Sequence, residues 1–283
     1  MTVKIITDST ADLPKEILEE NNISFLPLHI HLGDEEYQDC VNIWPKQIFA
    51  WSDEHKATPK TSACSLPEAM GMLEAGLKDH DEVVFISISQ HISSMYSVVN
   101  MAARELEVED RVQIIDSRNL CNGIGLLVLK ACELAKESKD ALTIKKTVEA
   151  LVSKVNTTFV VDTLEYLYRG GRCSGMASVI GSKLHIHPRI AVTQGTLHVT
   201  KKYLGSMEKA LMSYVKDLGP ALKNADDSMI FIANSGICAE QMEAVRAKVV
   251  EIMPFRKVYM TKAQGCISSH CGPGCIGIFF IEK

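Results

Sequence analysis

Several things are scarce in this chain of 283 residues, and each scarcity excludes something. No apolar run approaches the roughly 20 residues of a membrane-spanning helix. Lysine and arginine (30) fall below aspartate and glutamate (35) and form no basic run, which argues against a nucleic-acid partner. Aromatic residues are only 6% of the chain, yet 46% is hydrophobic, so the sequence can bury a sizeable core and is not disordered. There is no P-loop, no HExxH and no GxGxxG. The nine cysteines are odd in number and contain no CxxC pair. Their only cluster, Cys266, Cys271 and Cys275, therefore reads as small buried thiols rather than a zinc site. Met1-Thr2-Val3-Lys4 runs straight into a strand-like segment with no secretion signal ahead of it. With the scattered cysteines, this suggests reduced thiols in a cytoplasm.

What is present alternates. Val3–Ile6, Val83–Ile88 and Val112–Ile115 read as buried strands. Helices are expected from Asp12-Pro14 to Leu18, after the Ser65-Leu66-Pro67-Glu68 capping box, over Ser93–Leu106 and over Asn122–Lys136. Strand and helix in turn imply a parallel α/β sheet. Beyond about residue 150 the pattern changes. A strand at Thr157–Val161 is followed by a hairpin, His185–Val192 and Leu197–Tyr203 around Gln194-Gly195. Helices at Met207–Leu218 and Ala239–Met253 then mix with strands at Met229–Ala233, Lys257–Met260 and Ile276–Ile281. The expected architecture is an α/β domain over 1–150 with a parallel sheet, then an α+β domain over 151–283 with a mainly antiparallel one.

Five stretches gather small polar residues at strand ends. Thr7-Asp8-Ser9-Thr10-Ala11-Asp12 follows the first strand, where α/β sheets bind ligands, although Asp8 and Ser9 equally suit a turn and a cap. Thr61 and Ser62 precede the Ser65 cap and could donate to a carboxylate or phosphate, or simply cap. Ser89-Gln90-His91-Ile92-Ser93-Ser94 lies between strand and helix, where backbone amides attract anions. No Gly-x-Ser-x-Gly elbow supports a nucleophile there. Tyr168-Arg169-Gly170-Gly171-Arg172-Cys173-Ser174 is either a cationic turn or a helix end. Ser268-Ser269-His270-Cys271-Gly272-Pro273-Gly274 is a rigid turn whose His270 is a core histidine or faces a ligand.

In this order, the five stretches resemble the DegV family, the bacterial fatty-acid-binding proteins known as FakB. Asp8-Ser9-Thr10-Ala11-Asp12-Leu13-Pro14 matches the family's opening motif, and Thr61-Ser62 stands where the family has Thr-Ser-Gln-Pro-Ser-Pro. Asp116-Ser117-Arg118, with Gly123 and Gly125, resembles a further motif. Leu164–Arg172 is close to its Gly-Gly-Arg segment, and His270-Cys271-Gly272-Pro273-Gly274 to its His-Thr-Gly-Pro-Gly ending. The chain departs from the family at Ser89–Tyr96, where two glycines are lost and His91 and Ser94 add side chains. Lys201 and Lys202 align only loosely with a family arginine.

The resemblance implies a Rossmann-like N-terminal domain beside an α+β domain, and a long-chain fatty acid in a tunnel. Thr61, Ser62, Ser93 and His270 would hold its carboxylate at the junction, with Asp8, Ser9, Arg172 and Lys202 as secondary anion or partner contacts. A separate ATP-dependent fatty acid kinase would make the acyl phosphate, so this chain would be a carrier with no catalytic residue, metal or cofactor. Contact with a membrane surface would be transient at most. Two other readings are an enzyme on an acyl or phosphoryl ester, with Ser93 as nucleophile and His270 as base, and a module whose ligand only signals.

Overall fold

The computed structural model describes residues 2–172 and 186–283. Cys173, Ser174 and the expected first hairpin residue, His185, lie outside them. The first part of the chain runs β1 (Val3–Asp8), α1 (Lys15–Glu20), β2 (Ser24–Leu26), β3 (His29–Leu32), β4 (Glu35–Gln38), α2 (Pro45–His55), β5 (Lys60–Ser62), α3 (Leu66–Asp79), β6 (Glu82–Ser87), α4 (Met95–Glu105), β7 (Val112–Asp116), α5 (Asn122–Lys136) and α6 (Ala141–Val152). It continues with β8 (Val155–Val160), α7 (Glu165–Arg169), β9 (Ile186–Thr193), β10 (Thr196–Leu204), α8 (Met207–Lys223), β11 (Ala225–Ser235), α9 (Ala239–Ile252), β12 (Lys257–Lys262), α10 (Gly265–Cys271) and β13 (Cys275–Glu282).

Strands β2-β1-β6-β7 form a parallel sheet. The second sheet, β10-β9-β8-β13-β11-β12, is antiparallel except where β12 joins β11. A small sheet, β4-β3-β5, stands apart from both. Alternation along the second sheet gives it two apolar faces. Val160, Ile230, Ile232, Ile278 and Phe280 pack with α8 and α9. Phe159, Phe231, Ala233 and Phe279 face the other way and share a core with the parallel sheet.

Helix α5 fills the space between the two sheets, touching β1 and β6 on one side and β8, β11 and β13 on the other. An apolar stretch on all sides suits this doubly covered position. Gly123 permits it, because a Cβ there would lie 2.4 Å from Thr157 Oγ1.

Local signals placed several elements. At the head of α3, the Glu68 carboxylate accepts the Ser65 N–H at 2.7 Å, and Glu68 N–H donates to Ser65 Oγ at 3.4 Å, closing the capping box. Gln194 and Gly195 both have positive φ (50° and 81°), the conformation that two-residue hairpin turns require.

Four expectations need correction. Helix α1 starts at Lys15 and not at Asp12: the Asp12 backbone is left-handed (φ 51°), and Pro14 holds the cap position. Thr61 and Ser62 lie in β5 rather than in a loop. Helix α8 continues past Leu218 through Pro220 to Lys223. His270 is not on a loop, since it lies in the last turn of α10.

Candidate functional site

A cavity of about 510 Å³ opens where the two sheets meet. It lies on the face of the second sheet turned towards the first, opposite α8 and α9. Its walls are apolar, supplied by Leu28, Leu120, Phe159, Leu167, Leu197 and Phe279 from separate elements. Four thiols, Cys121, Cys266, Cys271 and Cys275, also line it. Burial holds Cys121, Cys266 and Cys275 well above the ordinary thiol range, with a Cys271 hydrogen bond the leading cause at Cys275, so these three stay neutral.

The wall is not apolar throughout. Thr61, Ser62, Ser93, Arg172 and His270 all border the cavity, as do Gln90, His91, Ser94, Asn234 and Ser235. Thr61 Oγ1 and His270 Nε2 are 2.8 Å apart. His270 Nδ1 is buried with no partner among the described residues. Burial, aided by the Arg172 charge, lowers the His270 pKa from 6.5 to about 4, so the ring is neutral at pH 7. With Nε2 against a hydroxyl, the ring can donate or accept according to its tautomer. Arg172 itself donates to the Gly170 carbonyl at 2.6 Å. Gly170 is required beside the imidazole, because a Cβ there would come within 2.4 Å of His270 Nδ1.

The Ser93 loop is held from two directions. Met95 N–H donates to Ser93 Oγ at 3.2 Å, an N-terminal bond that the side chain of Ser94, at the cap position of α4, does not make. Ser89 Oγ donates to the Gly195 carbonyl at 2.8 Å, so the β9–β10 turn docks on the loop. A Cβ on Gly195 would lie 2.6 Å from Ser89 Oγ and 2.8 Å from His91 Cδ2. His91, one of the two added side chains, thus packs against that turn.

The remaining expected residues fall elsewhere. Asp8 and Ser9 are buried and do not line this cavity; with Asp12 and Gln264 they border a separate one. Asp8 accepts Ile88 N–H at 2.7 Å and Thr10 N–H at 3.1 Å, and Ser9 Oγ accepts Leu28 N–H at 3.1 Å. Lys202 is exposed on β10 and does not border the cavity. For the pairing of Ser93 with His270 as nucleophile and base, the geometry is unfavourable: the hydroxyl on His270 Nε2 is that of Thr61. Sequence reasoning missed the wall itself, including the four thiols as a group and the polar pair Asn234 and Ser235 of β11. No local pattern marks these positions, since they converge only through the sheet order.

An apolar cavity whose lining also carries hydroxyls, an imidazole and a guanidinium is chemically suited to an amphipathic molecule with an anionic head. The model of the DegV family ("Uncharacterised protein, DegV family") matches residues 2–283, and the chain belongs to that family. A DegV domain-containing protein of Caldanaerobacter subterraneus is 32% identical over 99% of both chains. Among solved structures, a DegV family protein from Thermus thermophilus, whose description is of fatty acid binding, superposes with a TM-score of 0.92 at 27% identity over all of both chains. DegV of Bacillus subtilis, described as a fatty acid binding protein, gives 0.85 at 26% identity, again over all of both chains. Among the described residues, no helix is long and apolar enough to cross a membrane.

Proposed function

We propose that this protein binds one long-chain fatty acid in the cavity between its sheets and presents the carboxylate to a separate fatty acid kinase in the cytoplasm. The observation that carries the reading is the mixed lining of the cavity, in which apolar side chains meet the hydroxyls of Thr61, Ser62 and Ser93, the Arg172 guanidinium and the His270 ring. A tail of about 14 methylenes, at about 0.8 kcal/mol each, gains near 11 kcal/mol gross on burial. Ordering the chain and associating two molecules offset part of that. An unpaired carboxylate at the same depth would cost several kcal/mol. Hydroxyl donors and the nearby guanidinium offset this cost through charge-assisted hydrogen bonds.

A neutral His270 fits the same role. Its Nε2–H can donate to the carboxylate or to Thr61 Oγ1, whose own proton then turns to the ligand. The family relationship and the fatty acid binding described for the two solved relatives support this assignment. Phosphorylation falls to the separate kinase, because the cradle offers donors to a carboxylate while the sequence carries no P-loop. Native mass spectrometry of the purified protein tests the reading. A non-covalent adduct with the mass of a long-chain fatty acid is expected. A covalent acyl group on Ser93 would instead favour the esterase-type reading.

A further inference from the structure

The opening motif, Asp8 to Asp12, borders no part of the polar cradle, yet its side chains reach the segments that build it. Asp12 is buried, and its carboxylate joins the start of α10, which carries His270, to the head of α5, where Cys121 lines the cavity. Oδ1 accepts Gln264 N–H at 2.9 Å, at the cap position of α10, and Oδ2 accepts the Cys121 thiol at 2.9 Å, at the head of α5. Asp39 is also fully buried, and neither of its oxygens has a partner at hydrogen-bonding geometry among the described residues. It faces the Gly265 and Cys266 amides, the Ser9 hydroxyl and the Cys40 thiol. The approach is close enough that a Cβ on Gly265 would lie 2.8 Å from Asp39 Oδ1. Two buried carboxyl groups therefore meet the first turn of α10, and the last turn of the same helix carries His270. Amides at a helix start favour an acceptor there.

We propose that Asp12 and Asp39 are positioning residues for His270: through the N-terminus of α10 they set the ring against Thr61, and so tune the affinity for the anionic head of the ligand. The inference rests on the fatty-acid reading above. A short helix of 7 residues transmits a displacement at its start to its end, because one hydrogen-bonded turn follows directly on the other. Asp12 needs an acceptor at Oδ1 but no negative charge for this task. Burial, the leading cause, raises its pKa well above the ordinary value, while the Gln264 amide and the Cys121 thiol pull it the other way and Asp39 and Cys271 add to the rise. An asparagine keeps the oxygen and the shape, whereas an alanine removes both.

The test uses the full-length protein stripped of lipid, with palmitate as the probe. Asp12→Ala should weaken palmitate binding at least tenfold and move the His270 ring signals in NMR spectra of the lipid-free protein. Asp12→Asn should restore most of the affinity and the wild-type ring signals. In a His270→Ala background, Asp12→Ala should cost little further. Gly265→Ala, whose methyl would meet Ile30 and Ile48 as well as Asp39 and so displace the start of α10, should shift the same ring signals and serves if Asp12→Ala does not fold. Wild-type affinity and unmoved ring signals in Asp12→Ala or Gly265→Ala would overturn the inference and leave the fatty-acid reading standing. An equal loss with and without His270 would also overturn it, since that marks general destabilisation. Failure of the wild-type protein to bind palmitate would overturn both.

Discussion

Thr61 Oγ1 and His270 Nε2 meet at 2.8 Å across 209 residues of sequence. The contact joins β5 of the small sheet to α10, in the lining of a cavity to which strands of the second sheet also contribute. Among the described residues His270 Nδ1 has no partner, and Thr61 keeps a hydroxyl proton that can turn either way.

Replacing either hydroxyl should therefore weaken fatty-acid binding without abolishing it. Thr61→Ala and Ser93→Ala are each expected to cost about 1–3 kcal/mol, the range for leaving a buried charged partner short of one hydrogen bond. Isothermal titration with palmitate reads the change, and the tail should keep residual binding measurable. Unchanged affinity in the double variant would remove both residues from the head-group site.

His270 should titrate far below a free histidine in the lipid-free protein, near its depressed value of about 4. A bound carboxylate favours the imidazolium, so the midpoint should rise when lipid binds. The sign for stability follows from linkage. A histidine with a depressed folded value contributes stability above the ordinary 6.5, and that contribution is lost as pH falls towards about 4. NMR titration of the ring with and without palmitate checks both points. The same midpoint in the two states would place His270 outside the site.

Asp8 runs in the opposite sense. Burial raises its carboxyl to about 6, against the hydrogen bonds from Thr10 and Ile88 that lower it. Its contribution to stability is therefore full below the ordinary 3.8 and lost as pH rises through about 6. Infrared difference spectra of the carboxyl band should show a group titrating near 6 that Asp8→Asn removes. Survival of the band change in that variant would reassign it.

Gly170→Ala probes the cradle by steric means. The added methyl would fall 2.4 Å from His270 Nδ1 and 3.1 Å from the Tyr166 carbonyl oxygen, so the ring must move. Overpacking of this kind costs about 1–3 kcal/mol, here expected mainly in ligand affinity. Palmitate affinity and the thermal midpoint, measured together, separate the two effects. Wild-type affinity would show that the ring position does not matter.

Much of the fold was legible because its signals are local. The Ser65-Leu66-Pro67-Glu68 box, the Gln194-Gly195 turn and the apolar run of α5 each fix their element from a few neighbouring residues. Helix α10 was not, because Gly265–Cys271 is short and its start is held by Asp12, from far away in sequence. The same holds for the site. Thr61, Ser93, Arg172 and His270 could be picked out through a resemblance, but their convergence depends on the order of strands in two sheets. The burial of Asp8 and Ser9 is likewise a tertiary outcome, since polar residues after a strand suit a ligand loop as well as an internal brace.

The central claim is that one fatty acid sits with its carboxylate in the Thr61–Ser93–His270 cradle. NMR of palmitate labelled with 13C at the carboxyl carbon, added to lipid-free protein, tests it most directly. A single bound resonance is expected that saturates at one ligand per chain and changes position in Thr61→Ala and in Ser93→Ala. Absence of a bound resonance, or one whose position is the same in wild type and in both variants, would contradict it.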